Sequence, residues 1–149
     1  MSSVLYTVGY EGADIVHFLR TLKDCGIKRL IDIRDVPVSR RRGFSKTALA
    51  NALEEQGIAY IHLKSLGDPK AGREAMRRGD YPAFLEIYTS HIATPKGQEA
   101  LRLAVELALD RPSILLCYER SPTQCHRTVV AKEMATLADF TVKNVGVNP

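Results

Sequence analysis

Short apolar runs alternate with helical patterns along the chain, and this alternation constrains the fold more than any other feature. Leu5-Tyr6-Thr7-Val8 ends at Gly9 and reads as a strand. Ile15, Phe18, Leu19 and Leu22 then recur at helical spacing, with Gly26 as a stop. Arg29-Leu30-Ile31-Asp32-Ile33 is a second strand, closed by Asp35-Val36-Pro37. Ser45 is a candidate cap for a helix through Leu49 and Leu53 to Gly57. A third strand, Ile58-Ala59-Tyr60-Ile61-His62-Leu63, precedes a Gly-, Lys- and Arg-rich stretch at 64–80 that reads as irregular. Helical patterns occupy 81–92, 98–109 and 124–137, and Phe140-Thr141-Val142 opens a last strand. Ser113-Ile114-Leu115-Leu116-Cys117-Tyr118 is almost wholly apolar, as a strand covered on both faces requires. The expectation is a single compact α/β domain over residues 1–149, with a mostly parallel sheet and helices on both faces.

The charge is unevenly spread. Residues 20–46 hold nine basic residues against three acids, a local charge of +6, whereas the rest holds 12 against 14, or −2. A local excess of this kind suits an anionic small molecule or a nucleic-acid backbone, and it equally suits a solvated surface. No apolar run reaches the 18 residues of a membrane span, and Met1-Ser2-Ser3 does not open a signal peptide, so no membrane partner is expected. Three cysteines, an odd number, do not make a disulfide framework, and a reduced cytoplasmic setting is expected. The residues name no cofactor and no oligomeric state.

In open parallel sheets, ligands bind beyond the carboxyl ends of the strands. The first strand delivers Tyr10 and Glu11 to that edge, and the second delivers Arg34 and then Arg40-Arg41-Arg42. The third delivers His62, and the fourth Cys117, Tyr118 and Glu119. The segment from Cys117 to Arg127 reads as strand end, tight loop and helix start, with Ser121 as cap and Pro122 in the first helical position. On that reading Cys125, His126 and Arg127 occupy the first turns of a helix. Its dipole and unpaired amides favour anions and lower a thiol's pKa.

Several blocks of the sequence resemble one family. They are Thr7-Val8-Gly9-Tyr10, the stretch from Leu30 to Pro37, Tyr60-Ile61-His62-Leu63, Leu66-Gly67, Leu115-Leu116-Cys117-Tyr118-Glu119 and Cys125-His126-Arg127. The chain is identified by them as a member of the domain of unknown function 488 family. The resemblance implies that Arg34, His62, Cys117, Glu119, Cys125, His126 and Arg127 share a site, and it implies no activity.

The residues themselves leave the chemistry open. Cys125 and His126 are candidate catalytic residues, as are Glu119, a general acid or base, and Cys117. Cys117 equally reads as a small buried hydrophobe, and Glu119 as an ion-pair partner of Arg34 or Arg127. Arg34, Arg127, Tyr10, His62 and Arg41 are the candidate ligand-binding residues, with an arginine gripping phosphate or carboxylate. Phe44 and Tyr10 are available to stack a base. Arginine does not stand six positions after Cys117, where Thr123 lies, so the tyrosine-phosphatase loop is excluded. Cys117, Cys125, His126 and His62 match no recognised zinc spacing, and no metal site is expected. Two functions remain: an enzyme acting on an anionic, phosphate- or carboxylate-bearing ligand, and a non-catalytic nucleic-acid-associated module using the 20–46 patch.

Overall fold

A computed structural model describes residues 2–147, the side chain of Gln124 excepted. Five strands form one sheet: β1 (Ser3–Gly9), β2 (Arg29–Asp32), β3 (Ala59–His62), β4 (Ser113–Cys117) and β5 (Phe140–Val145). All pairings are parallel, and the order is β3-β2-β4-β1-β5. Six helices complete the fold: α1 (Ile15–Asp24), α2 (Lys46–Glu55), α3 (Lys70–Arg77), α4 (Tyr81–Ile92), α5 (Pro95–Asp110) and α6 (His126–Leu137). The expected α/β class, with helices on both faces, is what the structure shows. No described helix is long and apolar enough to cross a membrane.

Strand periodicity decides which helix packs where. Successive side chains point to opposite faces, so Leu30 and Ile31 enter different cores. Val8, Leu30, Ile114 and Leu116 pack with Phe18 and Leu22 of α1 and Leu49 and Leu53 of α2. Leu5, Ile31 and Leu115 pack with Ala75 of α3, Phe84 and Tyr88 of α4, Leu101 and Ala104 of α5, and Val130 and Met134 of α6. β4 is buried at all five residues, which explains its nearly continuous apolar run. Local signals set the helix ends. Asp14 caps α1 by accepting from the Val16 and His17 amides, and Thr94 caps α5 by accepting from Gly97.

Three local readings need correction. Residues 64–80 hold a 3-10 turn at Lys64–Leu66 and the helix α3, whose charged sequence buries only Gly72 and Ala75 and so offers few apolar residues to read. Pro122–Gln124 is a separate 3-10 turn, and α6 begins at His126 with Cys125 as its N-cap. Ser45 stands at the N-cap of α2 but makes no capping bond. Its hydroxyl instead accepts from the Ser39 amide at 2.9 Å and donates to the Ser39 carbonyl at 3.1 Å, closing the loop that carries Arg40, Arg41 and Arg42.

The order of the sheet creates the site. Beyond β1 and β2 the chain turns to the α1/α2 face, while beyond β4, which lies between them, it turns to the α6 face. Connections that leave neighbouring strands in opposite directions open a crevice at their carboxyl ends.

Candidate functional site

A cleft of about 1420 Å³ occupies that crevice. Its walls are the loop after β1 at Tyr10, the loop after β2 from Arg34 to Arg41, and the loop after β4 at Tyr118 and Glu119. Asp68, Arg73 and Arg77, before and on α3, form the last wall.

Two glycines let these loops close together. A Cβ on Gly9 would stand 1.7 Å from the Glu119 carbonyl oxygen, and one on Gly67 would stand 2.4 Å from the Asp35 Cα. Both obstacles are backbone, so neither can swing aside.

Arg34 borders the cleft but is almost wholly buried, and its donors are engaged within the protein. Its Nε and Nη2 donate to both oxygens of the fully buried Asp32, at 2.9 and 2.7 Å. Its Nη1 donates to the Phe44 carbonyl at 2.6 Å and to the Tyr10 hydroxyl at 3.4 Å. Burial opposes the charge, but the Asp32 carboxylate more than offsets it and holds the guanidinium protonated. Tyr60 donates to Asp32 as well, at 2.5 Å. Tyr10 is stacked on Phe44, with ring centres 4.6 Å apart, and Tyr118 meets it edge-on. Phe44 is thus a core residue, and only Tyr10 and Tyr118 of this aromatic group face the cleft.

Arg127 is likewise wholly buried. It donates to the Thr7 hydroxyl at 3.2 Å, to the Cys117 sulfur at 3.1 Å, to the Arg120 carbonyl at 3.0 Å, and to the Glu119 carbonyl. Four donations from one planar fork fix the loop after β4 against β1. Burial lowers its affinity for the proton, and the charge of Glu119 partly restores it.

His126 donates from Nε2 to the Ile33 carbonyl at 2.7 Å, and burial pushes its pKa down to about 4. The neutral ring therefore turns Nδ1 toward the Cys125 sulfur, 3.8 Å away. Cys117 and Cys125 are joined as a disulfide, although the composition gave no reason to expect one. Cys125 is buried and is the N-cap of α6, not a residue of its first turn. The Cys117 and Cys125 sulfurs and a Glu119 carboxylate oxygen lie within 4.8 Å of one another, a grouping with donors for a metal. His62 is elsewhere. Its Nε2 contacts the Arg34 carbonyl at 2.6 Å, and it lines a separate shallow depression with Lys64 and Lys96.

Asp68 is the residue that the sequence reading missed. It is 6% exposed, yet its Oδ1 has no hydrogen-bond partner among the described residues. Burial and the neighbouring charge of Glu119 push its pKa up to about 7, against the opposing pull of Arg73. Arg73 is committed elsewhere, donating to the Asp35 carboxylate at 2.7 Å and to the Asp68 carbonyl at 2.8 Å. Burial would raise the Asp35 carboxyl, but Arg73 and Lys64 hold it below the usual range. Glu119 is raised, chiefly by burial. At the rim, Arg41 holds the Ala13 and Gly12 carbonyls, while Arg40 and Arg77 make no hydrogen bond or ion pair among the described residues. The sequence arithmetic overstated the free basic surface, because Arg34 is buried and Arg29 is tied to Leu107 and Asp110.

The class of protein is thereby defined: a doubly wound parallel α/β protein with a polar cleft where the strand connections diverge. Within that class, the chain belongs to the family described as Domain of unknown function DUF488, whose model matches residues 14–134. The matched span takes in every block singled out in the sequence except Thr7 to Tyr10. Searches of the curated proteins and of the solved structures found no match.

Proposed function

We propose that the cleft binds an anionic small molecule, bearing phosphate or carboxylate and of about nucleotide size, and acts on it as an enzyme. The observation that carries this reading is a convergence within one cleft. Arg40 and Arg77, without partners among the described residues, line the same cleft as Asp68, whose buried Oδ1 has none there either. A protein keeps a buried polar atom unpaired at a cost of about 1–3 kcal/mol, which a ligand that pairs it would recover. Arg40 and Arg77 would hold the anion, Tyr10 and Tyr118 would flank an attached ring, and Asp68 and Glu119 would stand at the reacting end as acid and base. Arg34 and Arg127 would shape the cleft without touching the ligand.

Titration of the disulfide form with inorganic phosphate, pyrophosphate and a mononucleotide, followed by amide chemical shifts, tests the reading. Perturbations should centre on residues 10–12, 39–41 and 118–119. Arg40→Ala and Arg77→Ala should each weaken binding about tenfold, the value of one charge-assisted hydrogen bond. Shifts confined to the face carrying Arg20 and Lys23, with steep salt dependence toward a single-stranded oligonucleotide, would favour the nucleic-acid module instead.

A further inference from the structure

We propose that Cys117, Cys125 and Glu119 of the reduced protein bind one thiophilic divalent cation, with zinc(II) the best fit, leaving a fourth coordination position open to the cleft. This goes beyond the anion-binding reading and does not depend on it, since it concerns the reduced protein, in which the ion would take the Glu119 carboxylate that the disulfide form leaves free for acid–base work. In the disulfide form the two sulfurs are bonded to each other, and a Glu119 carboxylate oxygen lies within 4.8 Å of both, so reduction leaves three donors gathered at one place. Cys117 ends β4, Glu119 follows by two residues, and Cys125 caps α6, so sheet and helix fix all three positions. Their backbone spacing also suits an ion. The Cys117 and Cys125 Cα atoms are 7.3 Å apart, wider than the 4.4–6.8 Å usual for disulfides, and two sulfurs sharing a zinc ion need the larger span.

Charge gives an independent argument. Arg127 is a buried cation with no carboxylate within ion-pair distance among the described residues, and it donates to the Cys117 sulfur at 3.1 Å. Two thiolates and the Glu119 carboxylate contribute three negative charges. Arg127 and a divalent ion contribute three positive charges, so the loaded site is neutral, as burial demands. A thiol or phosphine reductant first supplies two electrons and two protons to break the Cys117–Cys125 bond; binding then forms two metal–sulfur bonds and one metal–oxygen bond and releases the two thiol protons. The two thiolates select zinc over magnesium or calcium. Arg127 on Cys117, and His126 beside Cys125 with its Nε2 on Ile33, would be outer-sphere partners that orient the sulfurs. Glu119 lines the cleft, which places the open position where a water or ligand oxygen can enter. A cation there would also give the unpartnered Asp68 carboxyl, coupled electrostatically to Glu119, a positive neighbour.

The test uses the full chain, reduced with a phosphine and freed of metal, and titrated with cobalt(II) and then zinc(II). One cobalt per chain should bind with a thiolate-to-cobalt charge-transfer band, and zinc should displace it. The band should vanish in Cys117→Ser and Cys125→Ser and persist in Cys25→Ser. Glu119→Gln should weaken zinc by at least about 10–100-fold, the loss that even an outer-sphere change produces. Circular dichroism checks that each variant folds. If the cysteine variants do not fold, alkylation of the wild type decides, since zinc must then slow labelling of Cys117 and Cys125 but not of Cys25. No stoichiometric cobalt binding, a band that survives both cysteine substitutions, or unprotected thiols would overturn the proposal. The phosphate titration, done on the metal-free disulfide form, fails or succeeds separately.

Discussion

Replacing Arg34 with methionine separates a structural guanidinium from a ligand-binding one. The substitution keeps the apolar stem and removes the charge that faces Asp32, whose side chain is fully buried. Asp32 would retain the backbone amide of residue 34 and the Tyr60 hydroxyl, but no cation. The Phe44 carbonyl and Tyr10 hydroxyl would lose their donor. Removing one partner of a buried ion pair costs about 3–5 kcal/mol, because the remaining charge is left without compensation. That is a large part of the roughly 5–15 kcal/mol that holds such a domain folded, and it corresponds to a fall in Tm of about 6–20 °C. Urea unfolding followed by far-ultraviolet circular dichroism measures it. The double variant Asp32→Asn/Arg34→Met should be more stable than the sum of its single changes implies, by about 1–3 kcal/mol, since it buries no lone charge. If Arg34→Met stays within about 0.5 kcal/mol of the wild type and loses phosphate binding, Arg34 is a ligand residue and the reasoning is refuted.

Gly9→Ala should cost at least about 1–3 kcal/mol, since its Cβ meets the Glu119 carbonyl, while Gly146→Ala, which meets nothing within 4 Å, should be neutral in the same unfolding assay. Arg127→Lys should lose about 2–4 kcal/mol, because an ammonium cannot serve the Thr7, Cys117, Glu119 and Arg120 acceptors together; equal stability by thermal melts would refute the clamp. Asp68 ties pH to stability. Glu119, Asp35 and Tyr88 face it with acidic groups and Arg73 with a cation, and its folded pKa of about 7 exceeds the roughly 3.9 of an unfolded aspartate. Below pH 4 both states hold the proton and there is no penalty. Between about pH 4 and 7 only the unfolded state ionises at this group, so the Asp68 contribution to stability falls as pH rises, by at most about 4 kcal/mol. His126, whose folded pKa falls to about 4, contributes the opposite slope over the same range, so in Asp68→Asn urea midpoints should rise with pH more steeply than in the wild type; a profile equal to the wild type's would exclude Asp68 as a contributor.

Alternation made the fold class legible, because Leu30/Ile31 and Ile114/Leu115 must enter opposite cores whatever the strand order. The order itself was not legible. β4 inserts between β2 and β1 through contacts between residues more than 80 positions apart, which no local pattern encodes. The carboxyl-edge rule brought Cys117, Glu119, Cys125 and Tyr10 near one another, but it could not tell a charged side chain that faces a ligand from one that holds loops in place. Arg34 and Arg127 therefore read as clamps for an anion, and the structure adds that each donates to acceptors within the protein. Asp68 was hidden for the opposite reason. Its stretch looks irregular and solvated, and only α3, packed so closely that a Cβ on Gly72 would stand 2.0 Å from the Asp68 Oδ1, buries it. A lone acid beside a Gly-Asp-Pro turn was the available signal, and it is a weak one.

The two buried arginines explain how a crevice between diverging connections stays open. On the α1/α2 side, Arg34 draws the loop after β2 to Asp32, Tyr10 and Phe44. On the α6 side, Arg127 draws the loop after β4 to Thr7 of β1. Each guanidinium sits at a place where a backbone turn leaves carbonyl oxygens that neither helix nor strand can satisfy, and its planar fork answers several at once. Wall rigidity is thus supplied from inside, by residues that carry positive charge without offering it to solvent. The rim arginines are left free for a ligand, and the buried sulfur–carboxylate group is held at the junction of β4 and α6. On the proposed function, lost ligand binding in an Arg34 or Arg127 variant should come with lost stability, as a collapsed wall requires. Lost phosphate binding in an Arg40 or Arg77 variant with unchanged unfolding would instead support the proposed anion site.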